Sequence, residues 1–222
     1  MSINKLNVIR DLTVLGLSFI LCAIVVICVI SDNNAKTEQR KEAVIRKQTI
    51  LRMEHIKTQI VDEIYYYLYS VAPTCEVDAD ILFDMCNKYN VDVRFAMAQA
   101  QVESHYATKG TAKKTKSMFN VGAYDGHSAK RQIRNGFGFN NVNDSIEPYL
   151  RLITTEYLIN GKTINDLLHN YVNYRNKRYA SNPRYEKMLK NVYNRINNAT
   201  NLDALIVEYN EYKEGNNWII NI

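Results

Sequence analysis

The sequence is poor in the groups that build metal and redox centres. It has four cysteines, and none stands in a CxxC or opposite histidine at ligand spacing. That argues against a zinc site. His55, His105, His127 and His169 show no ligand spacing either, so no metal and no cofactor are expected. Tryptophan occurs once, at Trp218, and no internal repeat stands out. Neither sign of charge dominates: a net charge of +5 over 222 residues is a mild excess and not a basic tail. Such a balance suits an anionic polymer, glycan or nucleic acid, without selecting either.

Hydrophobic residues make up 46% of the chain, enough for one globular core plus extras. Tyrosine is abundant, at 16 against 6 phenylalanines. Its ring packs while its hydroxyl bonds, so tyrosines serve both cores and sugar-binding surfaces. Cys22 and Cys28 lie in an apolar run, whereas Cys75 and Cys86 lie beyond it. The latter two are either a disulfide of an extracytoplasmic domain or two free thiols.

The run Leu12–Ile30 carries no charge and is long enough to span a bilayer as a helix. Lys5 and Arg10 precede it; Lys36, Arg40, Lys41, Arg46 and Lys47 follow, mixed with acids. These flanks leave its orientation open. A cleavable signal peptide is the rival reading, but no small-x-small site follows before Ser31. The resulting plan has a membrane anchor over 1–31, then a juxtamembrane linker and helix over 32–72. A catalytic domain over 73–200 and a tail over 201–222 complete it.

Helical spacing of Ile50, Met53, Ile56, Ile60, Ile64 and Leu68 predicts a helix over 50–71, ended by Pro73. A second helix is expected over 80–89 and a third, capped by Asp92, over 93–106. Residues 108–139 read as loops with a small hairpin. Further helices are expected over 146–159, stopped by Asn160-Gly161, then over 163–174 and 184–197, with Tyr185, Met188, Leu189, Val192 and Ile196 inward.

On the third helix Phe95, Ala98, Val102 and Tyr106 form one stripe, the expected core face. Ala96, Ala100 and Glu103 lie on an adjacent small-residue face, with Gln99 beside it. A carboxyl group held against apolar neighbours keeps its proton at higher pH, which general-acid cleavage of a glycoside requires. From spacing alone, a solvated glutamate at a helix end is the heavier reading. His105 does not form a dyad with Glu103, because residues two apart on a helix do not face each other.

Phe95-Ala-Met-Ala-Gln-Ala-Gln-Val-Glu103-Ser-His-Tyr-Ala107 resembles the AQA-x-x-ES signature of the glucosaminidase family of bacterial cell-wall hydrolases, in the lysozyme-like superfamily. Three further stretches follow in the family's order: Ser117–Gly122, Asn143–Leu150 and Tyr179-Ala-Ser-Asn-Pro-Arg-Tyr185. Together they run from about residue 80 to 197. The resemblance implies a mainly α, lysozyme-like helical domain with a small irregular or β lobe. It implies Glu103 as the catalytic acid and Tyr179 as the active-site tyrosine. It also places Gln99, Ser104, Phe119, Asn120, Tyr124, Tyr174 and Tyr185 at the substrate cleft. Tyr171, Tyr174, Tyr179 and Tyr185 cluster around the last stretch, to stack on sugars or to pack. The basic loop Lys109, Lys113, Lys114 and Lys116 either attracts anionic peptide stems or is simply solvated.

The chain departs from the family in one respect. Many members carry a second glutamate after the catalytic helix, yet there is no Glu between Ser104 and Asp144. Asp125 is the candidate second carboxylate; its other reading is a turn aspartate before glycine. Without it, the substrate's acetamido group or a water held by tyrosines would take the role. The expected activity is cleavage of the β-1,4 bond between N-acetylglucosamine and N-acetylmuramic acid in peptidoglycan. The enzyme would be membrane-anchored, facing the periplasm or cell wall, with glycan strands and membrane as partners and no nucleic acid. A muramidase or lytic transglycosylase is the first alternative, although the Gly-Leu-Met-Gln stretch of the transglycosylases is absent. A catalytically inactive glycan-binding or structural component is the second.

Overall fold

The computed structural model describes residues 3–122, 128–136 and 138–215, with side chains from residue 24 onward except residue 35. Contacts divide the chain into two units, one holding Met1–Met53 and one spanning Glu54–Gly215. Helix α1, Ile3–Val71, passes through both.

In the first unit the polar stretch read as a linker is helical. Exposed pairs Lys36–Asp32 at 2.6 Å and Lys41–Glu38 at 2.8 Å lie at the spacing that supports a helix surface. Among the described residues no helix is long and apolar enough to cross a membrane. Much of the uncharged run Leu12–Ile30 belongs to the residues whose side chains are not described, so the expected anchor gains no support here.

The second unit is built on helices, as expected of a mainly α domain. Ile56, Ile60, Ile64 and Leu68 line one face of α1 and are buried, while Ile50 stays exposed. Lys57 ties this stretch to α2, Ala79–Lys88, through Asp80 at 2.9 Å and Asp84 at 2.6 Å. Asp78 caps α2, accepting from the amides of Asp80 and Ile81. Asp92 caps α3, Val93–Ser104, and also grips the Arg94 guanidinium. Every residue from Val93 to Ala100 except Arg94 is buried. A helix apolar around its circumference must be enclosed, and α8, Tyr185–Ala199, packs along it. On α8 Tyr185, Leu189 and Ile196 turn inward as expected, but Met188 is exposed and Val192 only half-buried.

Several expected elements take another form. No hairpin forms among the described residues of the lobe after α3. Single helical turns replace it: α4, Ala112–Thr115, and α5, Ala129–Arg134, the latter capped by Ser128. The one extended pairing among the described residues is an isolated bridge between Val172 and Arg178. The helix expected from Ile146 is entered by a 3₁₀ turn, Val142–Ser145, capped by Asn141 with Asp144 as its reciprocal partner. It runs as α6, Ile146–Leu152, then widens into a π-turn, Ile153–Tyr157. Thr154 and Thr155 donate back to the carbonyls of Leu150 and Arg151, a habit that bends helices. Asn160 and Gly161 end it with positive φ of 57° and 78°.

The helix expected over 163–174 shrinks to α7, Ile164–Leu167. Beyond it the Asn173 side chain accepts from the amides of Arg175 and Lys177 at 3.0 Å each, folding the chain into a turn. The tail contributes α9, Leu202–Gly215, whose Tyr209 packs edge-on against Phe83. Trp218 lies outside the described residues. Cys75 and Cys86 are both free, which removes the disulfide reading.

Candidate active site

Helix α3 ends at Ser104 in an uncommon way. His105, Tyr106 and Ala107 have φ of 54°, 60° and 60°, three left-handed residues in succession with no glycine. Each such residue costs about 1 kcal/mol. Burial of the Tyr106 ring and the bonds of Ser104 hold the turn. The Ser104 hydroxyl donates to the Met118 carbonyl at 2.6 Å and accepts from the Ala107 amide at 2.7 Å. The result brings the 117–120 stretch against the end of α3.

Glu103 sits at this junction, half-buried. Its Oε1 accepts a short hydrogen bond from the hydroxyl of Tyr185, which is only 5% exposed at the start of α8. The Asn120 amide donates to the Glu103 main-chain carbonyl at 2.8 Å from a left-handed position with φ of 50°. Burial lifts the Glu103 carboxyl above the usual glutamate range, and the hydrogen bond from Tyr185 opposes it. The group therefore holds its proton to higher pH than an exposed glutamate.

Behind Glu103 the tyrosines form a layered cluster. Tyr179 stacks on Tyr171 with ring centres 4.6 Å apart, and Tyr185 and Tyr157 flank it at 5.7 and 5.6 Å. The Tyr179 hydroxyl points to the Phe119 carbonyl at 3.5 Å. Phe119 stacks on Tyr149 at 3.6 Å. Burial, then the nearby Glu103 carboxylate, raises the Tyr179 and Tyr185 hydroxyls well above their ordinary range, so both remain neutral donors.

Of the residues expected at the cleft, Glu103, Asn120, Tyr179 and Tyr185 are thus brought together. Ser104, Phe119 and Gln99 are interior: the first ties the turn, the second stacks on Tyr149, and the third is 0% exposed. Tyr174 is exposed with the Arg175 guanidinium over its ring, whereas the rings around Tyr179 are Tyr157, Tyr171 and Tyr185 among the described residues. Asp125 and Tyr124 lie outside the described residues. Glu186, beside Tyr185 in sequence, is engaged by Arg178 at 2.6 Å. Lys116 of the basic loop is paired with Glu76, while Lys113 and Lys114 face solvent. Among the described residues no group of three or more His, Cys, Asp or Glu is arranged to hold a metal ion. Tyr149 was read within the Asn143–Leu150 stretch but given no site role; Tyr157 falls in the π-turn and was not singled out.

A half-buried acid at a helix end, roofed by tyrosine hydroxyls, is an arrangement suited to protonating a glycosidic oxygen. The profile of the Glucosaminidase family, described as mannosyl-glycoprotein endo-beta-N-acetylglucosaminidase, matches residues 79–198, more than half of the chain. The chain belongs to this family. Membership makes it a glycosidase of the peptidoglycan-degrading class. No curated protein and no solved structure matches the chain.

Proposed function

We propose that the protein is an endo-β-N-acetylglucosaminidase that cuts the β-1,4 bond between N-acetylglucosamine and N-acetylmuramic acid, with Glu103 as general acid. The observation that carries this reading is the Glu103 carboxyl itself, half-buried, with a raised pKa, and fixed by the Tyr185 hydroxyl. In the reaction the Glu103 proton passes to the glycosidic oxygen as its bond to the sugar breaks. The Tyr185 hydroxyl then stabilises the carboxylate left behind. The hydrogen bond to the Glu103 side chain comes from a hydroxyl, so the second role, supplying the nucleophile that completes the hydrolysis, falls to Asp125, to the substrate's acetamido group or to a tyrosine-held water.

The uncharged run Leu12–Ile30 supports a membrane-anchored enzyme with its catalytic unit facing the wall. Digestion of purified walls followed by mass spectrometry of the muropeptides tests the reaction. New N-acetylglucosamine reducing ends are expected, and anhydro-muramic ends would refute the assignment. A Glu103→Gln protein that still cleaved would remove Glu103 from its role.

A further inference from the structure

Gln99 lies one turn before Glu103 on α3 and is wholly buried. Its carboxamide oxygen accepts from two hydroxyls, Tyr149 at 2.8 Å and Tyr171 at 2.7 Å. A carbonyl oxygen has two lone pairs, so this side of the amide is saturated and its orientation fixed. The amino side has no hydrogen-bond partner. A buried, unbonded donor costs about 1–3 kcal/mol and calls for an explanation. The cluster supplies one. Tyr171, held by Gln99, is the ring on which Tyr179 stacks, and Tyr149 is the ring on which Phe119 stacks. The Phe119 carbonyl in turn faces the Tyr179 hydroxyl. Both arms from the Gln99 oxygen therefore lead to Tyr179.

We propose that Gln99 is a positioning residue of this active site, whose buried carboxamide oxygen anchors Tyr149 and Tyr171 and so fixes the ring on which Tyr179 stacks and the Phe119 carbonyl that its hydroxyl faces. The proposal rests on the glucosaminidase reading for its catalytic consequence but not for its geometry. Gln99 touches no substrate; it acts through Tyr179.

The test uses the full chain. Gln99→Met keeps the length and removes the amide; its kcat on cell walls should fall about tenfold or more, with KM little changed, as expected for a misaimed catalytic group. In a Tyr179→Phe background the same substitution should cause no further loss. Equal losses in both backgrounds would reduce Gln99 to a packing residue and overturn the proposal. Gln99→Glu guards against misfolding: it keeps an acceptor for the two tyrosines. Its kcat should stay nearer to wild type than that of Gln99→Met, and equal losses in the two variants count against the idea. The ring-carbon resonance of Tyr179 in ¹³C-tyrosine-labelled protein, assigned by its loss in Tyr179→Phe, should move in Gln99→Met. An unmoved resonance rejects the proposal whatever the wall assay shows. A wild-type chain that releases no N-acetylglucosamine ends rejects the glucosaminidase reading instead, while the resonance still decides the role of Gln99.

Discussion

Tyr185→Phe isolates the hydrogen bond on which the acid depends. The substitution removes one oxygen and leaves the ring stacked near Tyr179 and Tyr171. The lost bond runs from a buried hydroxyl to Glu103 Oε1. A hydrogen bond to a charged partner contributes about 1.5–3 kcal/mol, and one between neutral groups about 0.5–1.5 kcal/mol. The bond lowers the Glu103 pKa, working against burial, so it is worth more when the carboxylate is ionised. Its contribution is fully present above the folded-state pKa and shrinks as pH falls through it. Tyr185→Phe should therefore lower the melting temperature by roughly 3–12 °C at about pH 8 and by less at about pH 4, taking 2–4 °C per kcal/mol for a domain of this size. Loss of the bond also raises the Glu103 pKa further, so the alkaline limb of kcat should move to higher pH while the maximum falls. Melting curves and a pH–rate profile for the two proteins check both. Equal destabilisation at both pH values, with an unmoved limb, would show that the hydroxyl does not bind the carboxylate.

Glu103→Gln should abolish wall cleavage and at the same time raise stability at neutral pH. The folded carboxyl holds its proton above the unfolded value near 4.5, so the native state loses stability as pH rises through that window, and a neutral amide does not; thermal melts against pH measure the difference. At Asn120, with φ of 50°, Asn120→Ala should destabilise by about 1 kcal/mol more than Asn120→Gly, since both lose the bond to Glu103 but only alanine bears the left-handed strain. Ile60→Ala should cost about 2–5 kcal/mol by chemical denaturation because it empties a fully buried position, whereas exposed Ile50→Ala should stay within about 0.5 kcal/mol.

Local signals carried much of the fold. Helices α3 and α8 announce themselves through Asp92 and the Tyr185–Leu189–Ile196 stripe, each a short-range rule of capping or period. The failures are where side chains overrule the period. Thr154 and Thr155 loosen α6 into a π-turn, and Asn173 breaks the stretch after α7 into a loop, because each supplies the backbone with an alternative partner. The stripe argument also misjudged α3. Phe95 and Ala98 are buried, but so are Ala96, Gln99 and Ala100 on the supposed second face, so the helix has no solvent side over this length. Glu103 was legible through the succession of four stretches. Tyr185 closes the last of those stretches, but the pairing of its hydroxyl with Glu103, 82 residues away, had no local signature.

The same geometry accounts for the carboxylate at the end of α3. A buried helix terminus leaves its last carbonyls without partners unless the following chain provides them. Here the left-handed residues do so: the His105 amide reaches the Gln101 carbonyl, Tyr106 that of Ala100, and Lys109 that of Ser104. The Glu103 carbonyl is taken by Asn120. With the backbone satisfied in this way, the helix can stop inside the protein, and its last outward-turning side chain emerges beneath the tyrosine cluster and not in bulk water. The strain of the turn and the raised pKa of the acid thus have one cause, a helix that ends in the interior.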